Sequence, residues 1–186
     1  LLKIMKKPLT FDEKKSKEYS DYVYFIDKLV KKAELINIHR TFPILGICLG
    51  FQSMFLSLTD FQISISYNLK NLGRVQEIEW DITNGGAWKK VFKDSDIRKM
   101  KSNKLLFSNH QFGYEKSNLT NLNEMNNKII PLAYLKTPFD KIILAAYRHP
   151  IYPFYGLQYH PEASQLLKSD RYNFEKTSEM VKIGVK

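Results

Sequence analysis

Residues 41–59 carry no charged side chain, and that run of 19 constrains the chain more than any other feature. A bilayer-crossing helix needs about 20 apolar residues, so length alone would allow one. The interior of the run does not, because Pro43, Gly46, Gly50, Gln52, Ser53 and Ser57 interrupt it. Proline removes a backbone donor and glycine weakens a helix, whereas both sit well at the ends of short elements. The run therefore reads as a buried strand over 42–47, a tight turn at Gly46-Ile47-Cys48-Leu49-Gly50, and a helix over 51–58. An uncharged strand and helix in sequence must both be covered, so the rest of the chain has to supply layers around them.

The flanking sequence offers such layers. Tyr19, Tyr22, Val23, Ile26, Leu29, Val30 and Ala33 recur at spacings of three and four, which predicts an amphipathic helix over 13–38. Apolar runs predict strands over 63–67, 74–80, 105–107, 129–135, 142–147 and 155–159. Asn84-Gly85-Gly86 marks a turn, residues 87–100 read as a helix, and Ser169 or Asp170 can cap a last one. Helices mixed with strands point to an α/β fold with a β-rich excursion between 61 and 147. At 186 residues the chain is one domain, 1–186. Its net charge of +10 comes from scattered pairs such as Lys31-Lys32 and Lys89-Lys90. No basic run interleaves with aromatics, so the charge reads as a solvated surface and not as a nucleic-acid face. No membrane span or signal peptide is read either, since Lys3, Lys6 and Lys7 lead into a charged segment.

Cys48 is the only cysteine, which excludes an internal disulfide and any multi-cysteine zinc site. Its setting is chemical. In Gly-x-Cys-x-Gly between strand and helix, the nucleophile sits on a sharp turn and the glycines let the backbone pass. The helix that follows aims its positive end at the sulfur and favours thiolate. The Leu49 N–H is placed to donate to a developing oxyanion. The alternative is a buried structural cysteine at a strand end. Further on, His160-Pro161-Glu162 follows the strand over 155–159. A thiol nucleophile needs a base, and the base needs an orienting carboxylate. Cys48, His160 and Glu162 thus form a candidate triad that requires neither metal nor cofactor.

Gly46-Ile47-Cys48-Leu49-Gly50-Phe51-Gln52 together with Tyr155-Gly156-Leu157-Gln158-Tyr159-His160-Pro161-Glu162 resembles the class I glutamine amidotransferase superfamily. Tyr152-Pro153-Phe154-Tyr155-Gly156 looks most like the γ-glutamyl hydrolases that trim folate polyglutamates. The resemblance covers roughly residues 15–185. It implies a flavodoxin-like sheet with flanking helices, and hydrolysis of γ-glutamyl bonds through a Cys48 thioester. By the same resemblance Gln52 lines the glutamyl pocket and His110, in Ser108-Asn109-His110-Gln111, contacts substrate. The family's usual compartments are lysosomal, vacuolar or extracellular, with which the sequon Asn118-Leu119-Thr120 is compatible. His39 and His149 match no motif and read as structural. Two other readings stay open: a glutaminase module that passes ammonia to a synthase partner, and a non-catalytic homologue serving as a structural subunit.

The chain also departs from that pattern. Residues 1–45 contain no glycine, whereas the family has strands and a glycine-rich oxyanion loop upstream of this helix. The first strands of the domain are therefore expected to be missing from this chain. An absent upstream segment, a partner chain or second copy completing the sheet, and a degenerate homologue each account for the gap. A central strand left with a bare edge is an association hazard.

Overall fold

The computed structural model describes residues 13–66, 71–76, 78–80, 93–102, 106–119 and 128–163. The turn expected at 84–86, the start of the helix expected at 87–100, and the last helix lie outside the described residues. Helix α1 (Glu13–Asn37) buries Val23, Asp27, Val30 and Ala33 along one face. Asp27 is the polar exception on that stripe. Its carboxylate accepts from Ser57 Oγ at 2.8 Å and from Lys31 Nζ at 2.9 Å, which offsets the cost of burial. Asn37 closes the helix. Its side chain donates to the carbonyls of Ala33 and Phe42 and accepts from the Phe42 N–H, so α1 turns directly into the next strand.

That strand, β1 (Ile44–Ile47), is shorter than expected, since Phe42 and Pro43 lie outside it. Helix α2 (Leu49–Leu58) begins two residues before the expected start and is covered on nearly every side. Next come β2 (Asn71–Gln76), β3 (Ile78–Trp80), α3 (Asp94–Ser102) and β4 (Leu106–His110). A short 3₁₀ turn (Lys116–Leu119) precedes β5 (Ile130–Lys136), β6 (Ile142–Arg148) and β7 (Phe154–Leu157). The single strand expected over 74–80 is two pieces in different sheets: β2 pairs with β4, and β3 with β5. Of the strand expected over 63–67, the described residues show a bridge between Ser66 and Gly113.

The main sheet runs β1-β7-β6-β5-β3. It is a mixed sheet with flanking helices, an α/β fold. Among the described residues, only β1 and β7 pair in parallel. Five-residue links join β5 to β6 and β6 to β7, which is hairpin length and forces those pairs antiparallel. β1 reaches β7 only after a long excursion, as a parallel neighbour must. β1 also ends the strand order, so the bare edge expected from the sequence is present among the described residues.

Both faces of the sheet are packed. Leu132, Leu135, Ile143 and Ala145 belong to one cluster, against which Ile97 of α3 lies. Phe51, Phe55, Tyr114, Leu144, Tyr147 and Phe154 form the other, between α2 and the sheet. Ring centroids of Phe51 and Tyr147 are 4.9 Å apart, and those of Phe55 and Tyr114 are 4.0 Å apart. Tyr114 and Tyr147 donate their hydroxyls to the carbonyls of Gln52 and Phe51, at 2.7 and 3.1 Å. Each such buried ring contributes about 1.5–3 kcal/mol by leaving water, and these hydroxyls tie that gain to the position of α2.

Candidate active site

The site lies at the carboxyl ends of β1 and β7, where open α/β sheets place ligands. In the parallel register Ile47 faces Leu157. The chain then breaks from β1 at Cys48, whose N–H still donates to the Leu157 carbonyl at 2.8 Å. Cys48 has φ 52° and ψ −105°, the left-handed side of φ that non-glycine residues avoid at a cost of about 1–3 kcal/mol. Gly46 makes the bend feasible. A Cβ there would stand 2.8 Å from the backbone C and O of Gly50, so α2 starts in contact with β1. Gly50 differs from the sequence expectation, because it needs no clearance from the backbone. A Cβ there would meet only the Tyr22 hydroxyl, at 4.0 Å.

Cys48 is the N-cap of α2, and its side chain makes no capping hydrogen bond. The Cys48 carbonyl accepts from the Gln52 N–H at 3.1 Å. The N–H groups of Leu49 and Gly50 open the helix, where no intrahelical acceptor exists for them. No acidic side chain in the first turn offsets the positive helix end.

His160 arrives from the other strand. Its N–H donates to the Phe107 carbonyl at 2.8 Å, so β4 fixes the loop that follows β7. His160 Nδ1 and Glu162 Oε1 are 2.6 Å apart. The remaining ring nitrogen, Nε2, is thereby the one that meets the sulfur. Hydrogen bonding to Cys48 holds the imidazolium well above its ordinary range, at about 9, with Glu162 adding to the effect against the opposing influence of burial. Cys48, the His160 ring and the Glu162 carboxylate thus stand in one connected row.

β4 supplies the third wall. The Asn109 carbonyl is 4.0 Å from Cys48 Sγ. His110, 4% exposed, pairs its Nδ1 with the Phe112 carbonyl at 2.8 Å. Burial lowers its pKa to about 4; the Phe112 carbonyl opposes that, and nearby His160 adds to it. The ring is neutral at physiological pH. With its proton on Nδ1, its buried Nε2 is a lone-pair acceptor, and that atom has no partner.

Gln52, expected from the resemblance to line the glutamyl pocket, is 3% exposed, and its Nε2 donates to the Phe112 carbonyl and to Gln158 Oε1, each at 3.0 Å. Both amide protons are committed inside the protein. Gln52 therefore ties α2 to the His110 loop and to the approach to His160. Gln158, which the sequence reading did not single out, completes that tie; nothing in its immediate pattern marks it as buried. The Asn109 carbonyl beside Cys48 has no sequence signal either, since a backbone oxygen leaves none. His149 is buried at the corner before β7, where Nδ1 accepts from the N–H groups of Ile151 and Tyr152. His39 is exposed in the turn after α1.

No group of three or more histidine, cysteine or acidic side chains suited to a metal occurs among the described residues, and no described helix is long and apolar enough to cross a membrane. The chain is 24% identical over 149 residues to gamma-glutamyl hydrolase 1 of Arabidopsis thaliana, an alignment covering 79% of this chain and 42% of that protein. The chain thus spans less than half the length of that relative. A crystal structure from Thermoplasma acidophilum, of a protein assigned as one subunit of a GMP synthase, superimposes with a TM-score of 0.42 at 19% identity, covering 86% of this chain and 65% of that one. The family model for class-I glutamine amidotransferases matches residues 26–180, a span that holds β1, the elbow, His160 and Glu162. By that match the chain belongs to the class-I glutamine amidotransferase family.

Proposed function

We propose that the protein is a cysteine-dependent hydrolase of γ-glutamyl bonds, with folylpoly-γ-glutamates as its substrate class. The observation that carries this reading is the row Cys48–His160–Glu162 at the ends of two parallel strands. The Cys48 thiolate attacks the γ-carbonyl carbon, and the carbonyl electron pair moves onto oxygen, next to the Leu49 N–H. The tetrahedral species collapses, the C–N bond breaks, and the leaving amine takes the proton from His160 Nε2. A thioester remains. His160 then accepts a proton from water, hydroxide adds to the thioester carbon, and the acyl part, the shortened folylglutamate, leaves with a free γ-carboxylate as Cys48 becomes thiolate again. Glu162 keeps Nδ1 protonated and the ring aimed throughout. His110 offers an acceptor to an N–H of the substrate. The preference for a γ-glutamyl peptide over free glutamine rests on Tyr152-Pro153-Phe154-Tyr155-Gly156 and on the similarity to gamma-glutamyl hydrolase 1.

The family match itself favours a second reading, a glutaminase that releases ammonia for a synthase partner. One assay separates the two: glutamate release from a γ-glutamyl peptide and from glutamine, side by side. Faster release from the peptide supports the hydrolase. Release from glutamine alone supports the glutaminase. Release from neither leaves the non-catalytic subunit.

A further inference from the structure

We propose that Gln158 is a positioning residue for the reaction: through Gln52 and the Phe112 carbonyl it holds the proton of His110 on Nδ1 and so keeps His110 Nε2 an acceptor. The effect on turnover rests on the hydrolase reading above. The effect on the His110 proton rests on the hydrogen bonds alone.

Four polar groups form one row from the end of β7 to β4. Gln52 Nε2 lies 3.0 Å from Gln158 Oε1 and 3.0 Å from the Phe112 carbonyl, and the same carbonyl lies 2.8 Å from His110 Nδ1. A carbonyl can only accept, so Phe112 sets the polarity of the whole row. It calls for an N–H from both Gln52 and His110. Gln52 then has a second amide proton to place, and Gln158 has to answer with oxygen. Turning the Gln158 amide over would set one NH₂ against another, and turning Gln52 over would set its oxygen against the carbonyl. Which nitrogen of a neutral histidine carries the proton is decided by the hydrogen bond that the other nitrogen makes or lacks. Burial keeps His110 neutral, with a pKa of about 4, so this choice is its only freedom near neutral pH.

The row is braced at both ends. Gln158 is fully buried, and its backbone N–H donates to the Ala145 carbonyl of β6 at 2.8 Å. Tyr114 donates to the Gln52 carbonyl at 2.7 Å and holds that turn of α2. Gln158 Nε2, by contrast, is buried and makes no hydrogen bond. Such a donor costs about 1–3 kcal/mol, which an apolar side chain of the same shape would avoid. The gain that offsets it is Oε1, the acceptor for Gln52. Without that oxygen a Gln52 proton is stranded in the interior. The amide then relaxes away from Phe112, the carbonyl loses one of its donors, and the grip on His110 Nδ1 loosens. The result is a tautomerisation: one proton leaves Nδ1, one arrives at Nε2, and the ring stays neutral. An acceptor has become a donor, and a substrate N–H meets another N–H.

Gln158→Met in the full chain keeps the length of the side chain and deletes the acceptor, while Gln158→Glu restores an oxygen. The His110 tautomer is read at neutral pH from long-range ¹H–¹⁵N correlations, with His110→Gln identifying its signals among the four histidines. The proton is expected on Nδ1 in the unsubstituted chain and in Gln158→Glu, and largely on Nε2 in Gln158→Met. On pteroyldi-γ-glutamate, Gln158→Met should raise KM about tenfold, the loss of one hydrogen bond, with kcat within about twofold. The His160 midpoint should stay at about 9. A merely structural disturbance two residues from His160 would lower kcat and move that midpoint, and this outcome overturns the proposal. So does a His110 proton that stays on Nδ1 in Gln158→Met or leaves it in Gln158→Glu. Gln52→Met cuts the row at its middle and decides the matter should Gln158→Met fail to fold. It should shift the proton in the same way, and the double substitution should add nothing to either single one. Additive shifts, or a proton unmoved in Gln52→Met, refute the row. If the unsubstituted chain leaves the folate substrate uncut, the hydrolase reading falls and Gln158 is judged on the tautomer.

Discussion

The Cys48 N–H donates to the Leu157 carbonyl at 2.8 Å, one rung beyond the last residue of β1. That hydrogen bond joins two segments more than a hundred positions apart and makes the end of one strand the measure of the other. Since Ile47 faces Leu157, Cys48 leaves the sheet where the backbone runs on toward His160. A shift of one residue in this register would turn alternate side chains to the wrong face and part the sulfur from the ring.

His160 titrates near 9 because of Cys48 first and Glu162 second. Cys48→Ala should therefore move the His160 midpoint down toward the ordinary histidine value of about 6.5, followed through the ring Cε1–H resonance. The same substitution should lower γ-glutamyl hydrolysis by at least about a thousandfold. A midpoint still near 9 in Cys48→Ala would show that the sulfur is not the cause. A raised histidine pKa stabilises the fold below about 6.5, and that share is lost as pH rises through about 9.

In the proposed mechanism Glu162, 2.6 Å from His160 Nδ1, orients the ring and carries no proton to substrate. Glu162→Gln should keep the fold and KM while lowering kcat by roughly 10²- to 10⁴-fold, by the precedent of other triad carboxylates. Weaker binding at an unchanged maximal rate would make it a substrate contact instead.

Burial lowers His110 and His149 to about 4, so both are neutral in the folded protein. The unfolded chain binds those protons from about 6.5 downward. Their share of stability is full above about 6.5 and is lost as pH falls through about 4. Urea unfolding between these values should show a steep loss. His149→Gln should shallow the slope, and an unchanged slope would exclude it as a source.

Gly46 and Gly50 look equivalent in the motif and should behave differently. Gly46→Ala forces backbone apart at the elbow and should cost about 1–3 kcal/mol in denaturant unfolding. Gly50→Ala sits in a helix with open space beside it and should leave stability unchanged or raise it by up to about 1 kcal/mol. Equal losses at both positions would mean that the elbow tolerates a Cβ at neither.

β1 binds β7 through the N–H groups of Ile44 and Cys48, so alternation aims the backbone groups of Leu45 and Ile47 the other way. Leu45 is 58% exposed beside that edge. The chain expressed alone should self-associate there, and Leu45→Lys should reduce light scattering at a given concentration. Equal scattering by both chains would place the association elsewhere.

The sequence by itself determined the local elements of the site. The uncharged run over 41–59 dictates strand, turn and helix because its breakers sit where those elements end. The spacing of Tyr22, Val23, Ile26 and Val30 dictates α1, and residues 142–147 are apolar enough to demand burial on both faces. Local chemistry also marks Cys48, His160 and Glu162 as candidates, since a residue type and its neighbours suffice for that. What it could not determine were relations between distant segments. The split of 74–80 between two sheets depends on which strand offers free edges, and a single apolar alternation fits either. Gln52 has one amide whether it faces a pocket or the core, and only the positions of Phe112 and Gln158 decide. The pairing of β1 with β7, and the approach of Tyr22 to Gly50, are fixed by packing across the whole domain. Neither leaves a trace in local periodicity, because the energy that selects them is shared among many buried contacts and belongs to no short stretch of chain.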